Sequence, residues 1–259
     1  MKRLVTAVAL MAVAVYLIFL APQSVFLFGA LLLSVLCYRE FSGLAAAHGF
    51  HPPGATGLLM GAVLLLWPEQ AVLGFSILLI IATSLFLRRD NLHDVLPDIS
   101  STILGAVYAF APWSFAVKLR AESVHLLFFA VALNWVGDTA AYYVGKRFGK
   151  HRLAPVVSPK KSWEGAAASV AASVLFGFLY LKTLVPVIAF WHIAVLAILG
   201  NVAGQFGDLT ESAFKRGANV KDSGNLLPGH GGMLDRVDSS LFALPTVYAA
   251  HSLLKFLVG

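Results

Sequence analysis

The stretch VLGFSILLIIATSLFL, residues 72–87, decides the fold. Apart from Gly74 and the hydroxyls of Ser76, Thr83 and Ser84 it is apolar on every side. A helix on a soluble surface keeps a polar face, and a half-buried strand alternates; this run does neither. Similar runs occupy residues 4–20 (LVTAVALMAVAVYLIFL) and 188–199 (IAFWHIAVLAIL). With their flanks they approach or reach the roughly 17–25 residues that cross a bilayer as helix. A spanning β-barrel would instead show short segments of alternating polarity. Composition agrees, because 59% of the 259 residues are hydrophobic and only 12% charged, against about 25% charged in soluble chains. The expected fold class is therefore all-α, a polytopic integral membrane protein.

Reading the apolar runs against Pro, Gly and charge predicts about nine transmembrane helices, at 4–20, 24–38, 56–67, 71–87, 101–117, 124–145, 165–181, 185–200 and 241–257. The 24–38 and 56–67 segments are short, and either cross with little tilt or do not span fully. An odd count puts the termini on opposite sides. With the N-terminus inside, only Lys118, Arg120, Lys182 and Lys255 of the 19 Lys and Arg residues fall on the far face. That asymmetry predicts a cytoplasmic N-terminus and an outside C-terminus. It also gives the net charge of +6 a plain origin in topogenic loops, with no nucleic acid invoked. Lys2 and Arg3 before an apolar run could suggest a signal peptide with Ala7, Ala9 and Ala14 near its cleavage site. The next apolar run follows directly on Pro22-Gln23-Ser24, which favours a helical hairpin. No repeat or low-complexity linker divides the chain. It is expected to form one membrane domain, with residues 1–120 as N-terminal helices and 121–259 carrying a cytoplasm-facing site. The single cysteine, Cys37, excludes an intrachain disulfide and is expected to fill space in the second helix.

Between the last two predicted helices the composition changes abruptly. Asp208, Glu211, Lys215, Arg216, Lys221, Asp222, His230, Asp235, Arg236 and Asp238 crowd into residues 201–240. A solvated loop is the plain explanation of such charge, and three features argue against it. Gly229, Gly231 and Gly232 surround His230 after Pro228, so backbone N–H groups could point at an anion. Asp235 and Asp238 stand three apart at an expected helix start, on one face, as a pair of hard oxygen donors suited to Mg²⁺ or as complements to the helix dipole. Lys215, Arg216 and Lys221 lie between Asp208 and Asp222, placing cations for phosphate beside anions for metal. Nucleotidyl transfer needs both, because two anions must meet and pyrophosphate must leave.

The spacing Ser212-x-Phe214-Lys215-Arg216, then Lys221-Asp222-x-Gly224, then Leu227-Pro228-x-His230-Gly231-Gly232-Met233-x-Asp235-Arg236-Val237-Asp238 resembles the diagnostic motif of the phosphatidate cytidylyltransferase family, with no departure. The resemblance extends upstream to Gly137-Asp138-x-x-Ala141-Tyr142-x-x-Gly145-Lys146-x-x-Gly149 and to Ser158-Pro159-Lys160-Lys161-Ser162-Trp163-Glu164-Gly165. Ser162 stands where Thr is more usual, and both keep a hydroxyl. Residues 1–125 contribute only the hydrophobic pattern.

The resemblance implies transfer of CMP from CTP to phosphatidate in phospholipid synthesis, and the compact chain with no transit segment suggests a multi-pass protein of a bacterial cytoplasmic membrane. Asp208, Asp235 and Asp238 are the implied ligands of Mg²⁺, with Asp222 adjacent and a second, monovalent cation such as K⁺ nearby. Asp208, Lys215, Arg216, Lys221, Asp222, His230, Asp235, Arg236 and Asp238 are the expected catalytic residues. Asp138, Ser158, Lys160, Lys161, Ser162, Glu164, Gly231 and Gly232 are the expected substrate contacts. Expected partners are CTP, phosphatidate and membrane lipids, with a homodimer as a candidate assembly.

Read without the family, several of these residues have plainer roles. Asp138 lies in an apolar helix, where an ionised carboxylate costs about 2.5–3.5 kcal/mol on insertion scales, so it faces a polar cavity or bonds to Asn134 or a neighbouring hydroxyl. Lys160 and Lys161 serve phosphate or topology, with Trp163 at the interface. His230 is expected to contact phosphate, since the lipid phosphate is already mostly ionised and needs no general base. His48, His51 and His93 lack metal-ligand spacing and are expected to be ordinary loop residues. A secondary transporter would explain the helices and Asp138 but predicts paired repeats of broken helices. A CDP-alcohol phosphatidyltransferase would need an Asp-Gly-x-x-Ala-Arg run, which the sequence lacks. An enzyme acting on an ether-lipid phosphate shares the chemistry, and the full motif match favours the acyl substrate.

Overall fold

The computed structural model describes residues 2–52, 54–86, 91–227, 229 and 231–258. Leu87, Pro228 and His230, used above, lie outside them. Among the described residues nine α-helices form: α1 Lys2–Val15, α2 Gln23–Ala47, α3 Gly54–Leu66, α4 Ala71–Phe86, α5 Val95–Glu122, α6 Val124–Phe148, α7 Trp163–Leu184, α8 Phe190–Gly217 and α9 Leu234–Val258. A π-helical turn, Tyr16–Leu20, continues α1. Two short strands, β1 Arg152–Ala154 and β2 Ser158–Ser162, pair antiparallel with Arg152 opposite Ser162.

Each predicted segment coincides with a helix, but the expectation of nine spans is corrected. Among the described residues six helices are long and apolar enough to cross a membrane, or seven if one bent pair counts as a span. That pair is α3 and α4, bent by 112°. The cause is Pro68, which lacks an N–H to continue α3 and follows Trp67 at φ −130°, ψ 60°. At 13 residues, α3 is about 20 Å long, short of a typical hydrocarbon core of about 30 Å. The polar stretch expected as a loop from residue 201 also changes character, since α8 runs on to Gly217. Asn201, Gln205, Asp208 and Ser212 recur at spacings of four, three and four, which makes them one helical stripe.

Two compact units share the chain, one of Met1–Ser114 with Phe214–Arg236, the other of Phe115–Ala213 with Val237–Gly259. In the first, α3 uses small residues four apart to approach its neighbours. A Cβ on Gly57 would overlap the Tyr38 hydroxyl, and one on Gly61 the Phe110 ring. Tyr38 and Phe110 are fully buried there, and Phe41, Tyr108 and Phe214 pack edge-on or tilted against one another at centroid separations of 5.7–5.9 Å. In the second unit α6, α7 and α8 meet through a buried polar ladder. Ser173 Oγ donates to the Leu133 carbonyl at 2.8 Å, while Asn201 Nδ2 donates to Ser169 Oγ at 3.0 Å and Ser173 Oγ at 2.9 Å. Gln205 Nε2 donates to Asn201 Oδ1 at 2.7 Å. Gly137 makes room for this ladder, because a Cβ there would sit 2.4 Å from Ser169 Oγ and 2.5 Å from Asn201 Nδ2. Interhelical bonds of this kind replace the hydrophobic drive that lipid does not supply.

Candidate active site

The second unit holds a polar-edged cavity of about 630 Å³. Asp138, Tyr142 and Lys146 of α6 form one wall; Arg152 of β1 and Lys160 and Lys161 of β2 form another; Gln205 and Asp208 of α8 close it. The hairpin is what delivers Arg152, Lys160 and Lys161 to the cavity. Ser162 ends β2 and caps α7, its Oγ accepting the Gly165 N–H at 3.2 Å. Gly145 and Gly149 let α6 approach that cap, with a Cβ on Gly149 falling 2.7 Å from Ser162 Oγ.

Inside the cavity Lys161 Nζ pairs with Asp208 Oδ2 at 2.5 Å, with side chains 28% and 30% exposed. Asp208 Oδ1 accepts from Ser212 Oγ at 3.3 Å. Such a pair is half-solvated and exchangeable, so an incoming phosphate can take the lysine and a cation the carboxylate. Asp138 does face this cavity, as its cost in an apolar helix implied. Lys160, Lys161 and Ser162 face it too, whereas Ser158 and Glu164 are not among its lining residues. Glu164 accepts from His151, at 2.7 Å from Nδ1 and 3.3 Å from the backbone N–H, and so pins the hairpin to the start of α7. Lys146, Arg152 and Gln205 were not singled out as contacts by the sequence reading. The signal was present for Gln205, one turn from Asp208 on the same stripe.

The motif's remaining charges build a different object in the first unit. Lys215 Nζ meets Asp235 Oδ1 at 2.5 Å, with side chains only 11% and 5% exposed. The second oxygen of Asp235 accepts from Gly232 N at 2.8 Å, Ser223 N at 2.9 Å and Ser223 Oγ at 3.0 Å. Alongside it the Glu40 carboxylate, from α2, accepts from Met233 N and Leu234 N at 2.8 Å each and from Ser223 Oγ at 2.9 Å. The Gly232 N–H is thus taken by the Asp235 carboxylate, and the Met233 and Leu234 N–H groups that follow it by Glu40. The glycines are needed for steric reasons. Gly231 has φ +77°, and a Cβ there would lie 2.6 Å from Asp235 Oδ2.

Arg216 is exposed, with its guanidinium donating to the Val220 carbonyl at 3.0 Å across the end of α8. That end is closed by Val220 N–H to Lys215 O at 2.9 Å, with Asn219 left-handed at φ 56°. Lys221, Asp222 and Arg236 are exposed on the same unit, and His230 lies outside the described residues. Asp238 belongs to the second unit, where its Oδ1 accepts Ser239 N at 2.7 Å and its carbonyl would be 2.5 Å from a Cβ on Gly207. Among the described residues no three His, Cys, Asp or Glu side chains converge as a metal-holding group.

Comparison with known proteins matches residues 1–254 to the Cytidylyltransferase family. A phosphatidate cytidylyltransferase of Staphylococcus saprophyticus is 31% identical over 252 residues, covering 93% of this chain and 95% of the relative. Proteins of the same name from Staphylococcus haemolyticus and Staphylococcus aureus strain COL are 30% and 31% identical, over 94% and 93% of this chain and 95% of each relative.

Proposed function

The chain belongs to the cytidylyltransferase family, and from that premise we infer that it is a multi-pass membrane enzyme joining CTP to phosphatidate, with CDP-diacylglycerol and pyrophosphate as products. A phosphate oxygen of phosphatidate attacks the α-phosphorus of CTP. One P–O bond forms, the α–β P–O bond breaks, and pyrophosphate leaves with the electron pair. The observation that carries the reading to this chain's own residues is the Lys161–Asp208 pair in its cavity, with Asp138, Lys146, Arg152 and Lys160 around it. These cations offset phosphate charge and hold the triphosphate against the lipid phosphate.

Two carboxylates on one cavity, Asp138 and Asp208, fit a hard divalent ion that shares phosphate oxygens, and this supports Asp208 as a Mg²⁺ ligand. Bound Mg²⁺ would supply charge neutralisation of the triphosphate. Asp238 stays a candidate ligand. Asp235 fits less well, because both of its oxygens already accept protein donors. A second cation such as K⁺ rests on the family resemblance alone. Exposed Lys221 and Arg236 are proposed to contact phosphoryl groups.

The Lys and Arg distribution supports a cytoplasmic N-terminus and an outside C-terminus even with fewer spans. If α1 with its π-helical turn also crosses and the bent α3–α4 pair returns to the side it entered, Arg39 stays inside, as do the motif loop and the β hairpin. CTP would then reach the cavity from the cytoplasm, at a bacterial cell membrane. The test is incubation of the purified protein with labelled CTP, phosphatidate and Mg²⁺. Label in a lipid-soluble product, dependent on phosphatidate, is expected; folded protein that transfers none contradicts the reading.

A further inference from the structure

We propose that Glu40 is a positioning residue of the transferase reaction, a carboxylate from the N-terminal half that holds the motif loop and the start of α9 in working geometry. The proposal rests on the cytidylyltransferase reading above. A helix leaves its first N–H groups unpaired, and a nearby side chain in sequence normally takes one. In α9 that part is played by a residue 193 and 194 positions away, since Glu40 Oε1 accepts Met233 N–H and Oε2 accepts Leu234 N–H, both at 2.8 Å. A negative charge there also meets the positive end of the helix dipole.

The motif makes room for this side chain. A Cβ on Gly232 would fall 2.3 Å from Glu40 Oε2, and one on Gly224 would fall 2.8 Å from Oε1. Two glycines at fixed motif positions are thus explained by the approach of a carboxylate from α2.

Ser223 extends the link. Its hydroxyl lies 2.9 Å from Glu40 Oε2 and 3.0 Å from Asp235 Oδ2, and its one proton serves a single carboxylate at a time. Glu40, Ser223, Asp235 and Lys215 therefore form one chain of contacts, and Arg236 follows directly on Asp235. Displacing Glu40 would let the loop and the first turn of α9 shift together. A displacement of about 1 Å at reacting groups can cost on the order of 100-fold in rate.

Glu40→Gln keeps the shape and one acceptor but turns an amide N–H₂ toward a backbone N–H. In CTP-to-phosphatidate transfer, kcat should fall about 10- to 100-fold, with KM for both substrates within about threefold and the thermal unfolding midpoint in detergent near that of the unaltered protein. Ser223→Ala should lower kcat less. The double variant should be little worse than Glu40→Gln alone, because both act through one network. Backbone hydrogen exchange at residues 232–234 should accelerate in Glu40→Gln with no change elsewhere. Unchanged kcat in Glu40→Gln, multiplicative losses in the double variant, or unchanged exchange at 232–234 would overturn the proposal. Absence of transfer by the unaltered protein would sink the transferase reading instead, and the exchange experiment would still decide whether Glu40 ties the loop.

Discussion

Among the described residues two Lys–Asp pairs share one length, 2.5 Å, in opposite surroundings. Lys161–Asp208 lines an open cavity with both side chains nearly one-third exposed, while Lys215–Asp235 is closed in, with Asp235 saturated by Ser223 and Gly232. Ion pairs of the first sort exchange partners readily, whereas those of the second are costly to break. Dense charge in the motif is therefore not all free to meet substrate. Part of it serves to hold a loop, and the adaptable charges sit on a hairpin and two helices elsewhere in the chain.

Substitution can separate the two pairs. Asp208→Asn should give the largest effect, a loss of transfer of about 10²–10³-fold or more with a nearly unchanged unfolding midpoint, as expected for removing one fixed charge from a reacting site. A rate within tenfold of the unaltered enzyme would remove Asp208 from the chemistry. Lys215→Met should act first on stability, since it strands Asp235 without its cation, at a cost of about 3–5 kcal/mol. A melting curve that does not shift would show the pair to be as dispensable as a surface one. Glu164→Gln, outside the cavity and held by His151, should change kcat/KM by no more than about two- to threefold. A large rise in KM for CTP would bring Glu164 into the site after all.

Much of the helical pattern was legible because apolar runs bounded by charge are a coarse signal. Spans were not, since residues 56–67 and 71–87 read as two separate crossings, and the 112° bend between them shows only in the backbone at Trp67-Pro68. The hairpin escaped because Arg152–Ala154 and Ser158–Ser162 are short and polar, without the alternation that marks a half-buried strand. Asp138 was found by its cost in an apolar helix, and the structure puts it on the cavity. Glu40 gave no such sign. It is one acid near the end of an apolar helix, and what it binds lies almost the whole chain away. Gly231 and Gly232 were noticed for the right reason, missing side chains, but the anions they admit are in part the protein's own carboxylates.

The contrast between the pairs is tested most directly by amine-selective labelling of the purified protein, read by peptide mass spectrometry with and without CTP and Mg²⁺. Lys161 should react in the absence of nucleotide and be protected when CTP is bound, while Lys215 stays unreactive in both conditions. Equal labelling of Lys161 with and without CTP, in protein shown to transfer CMP, would contradict the assignment of the nucleotide to this cavity.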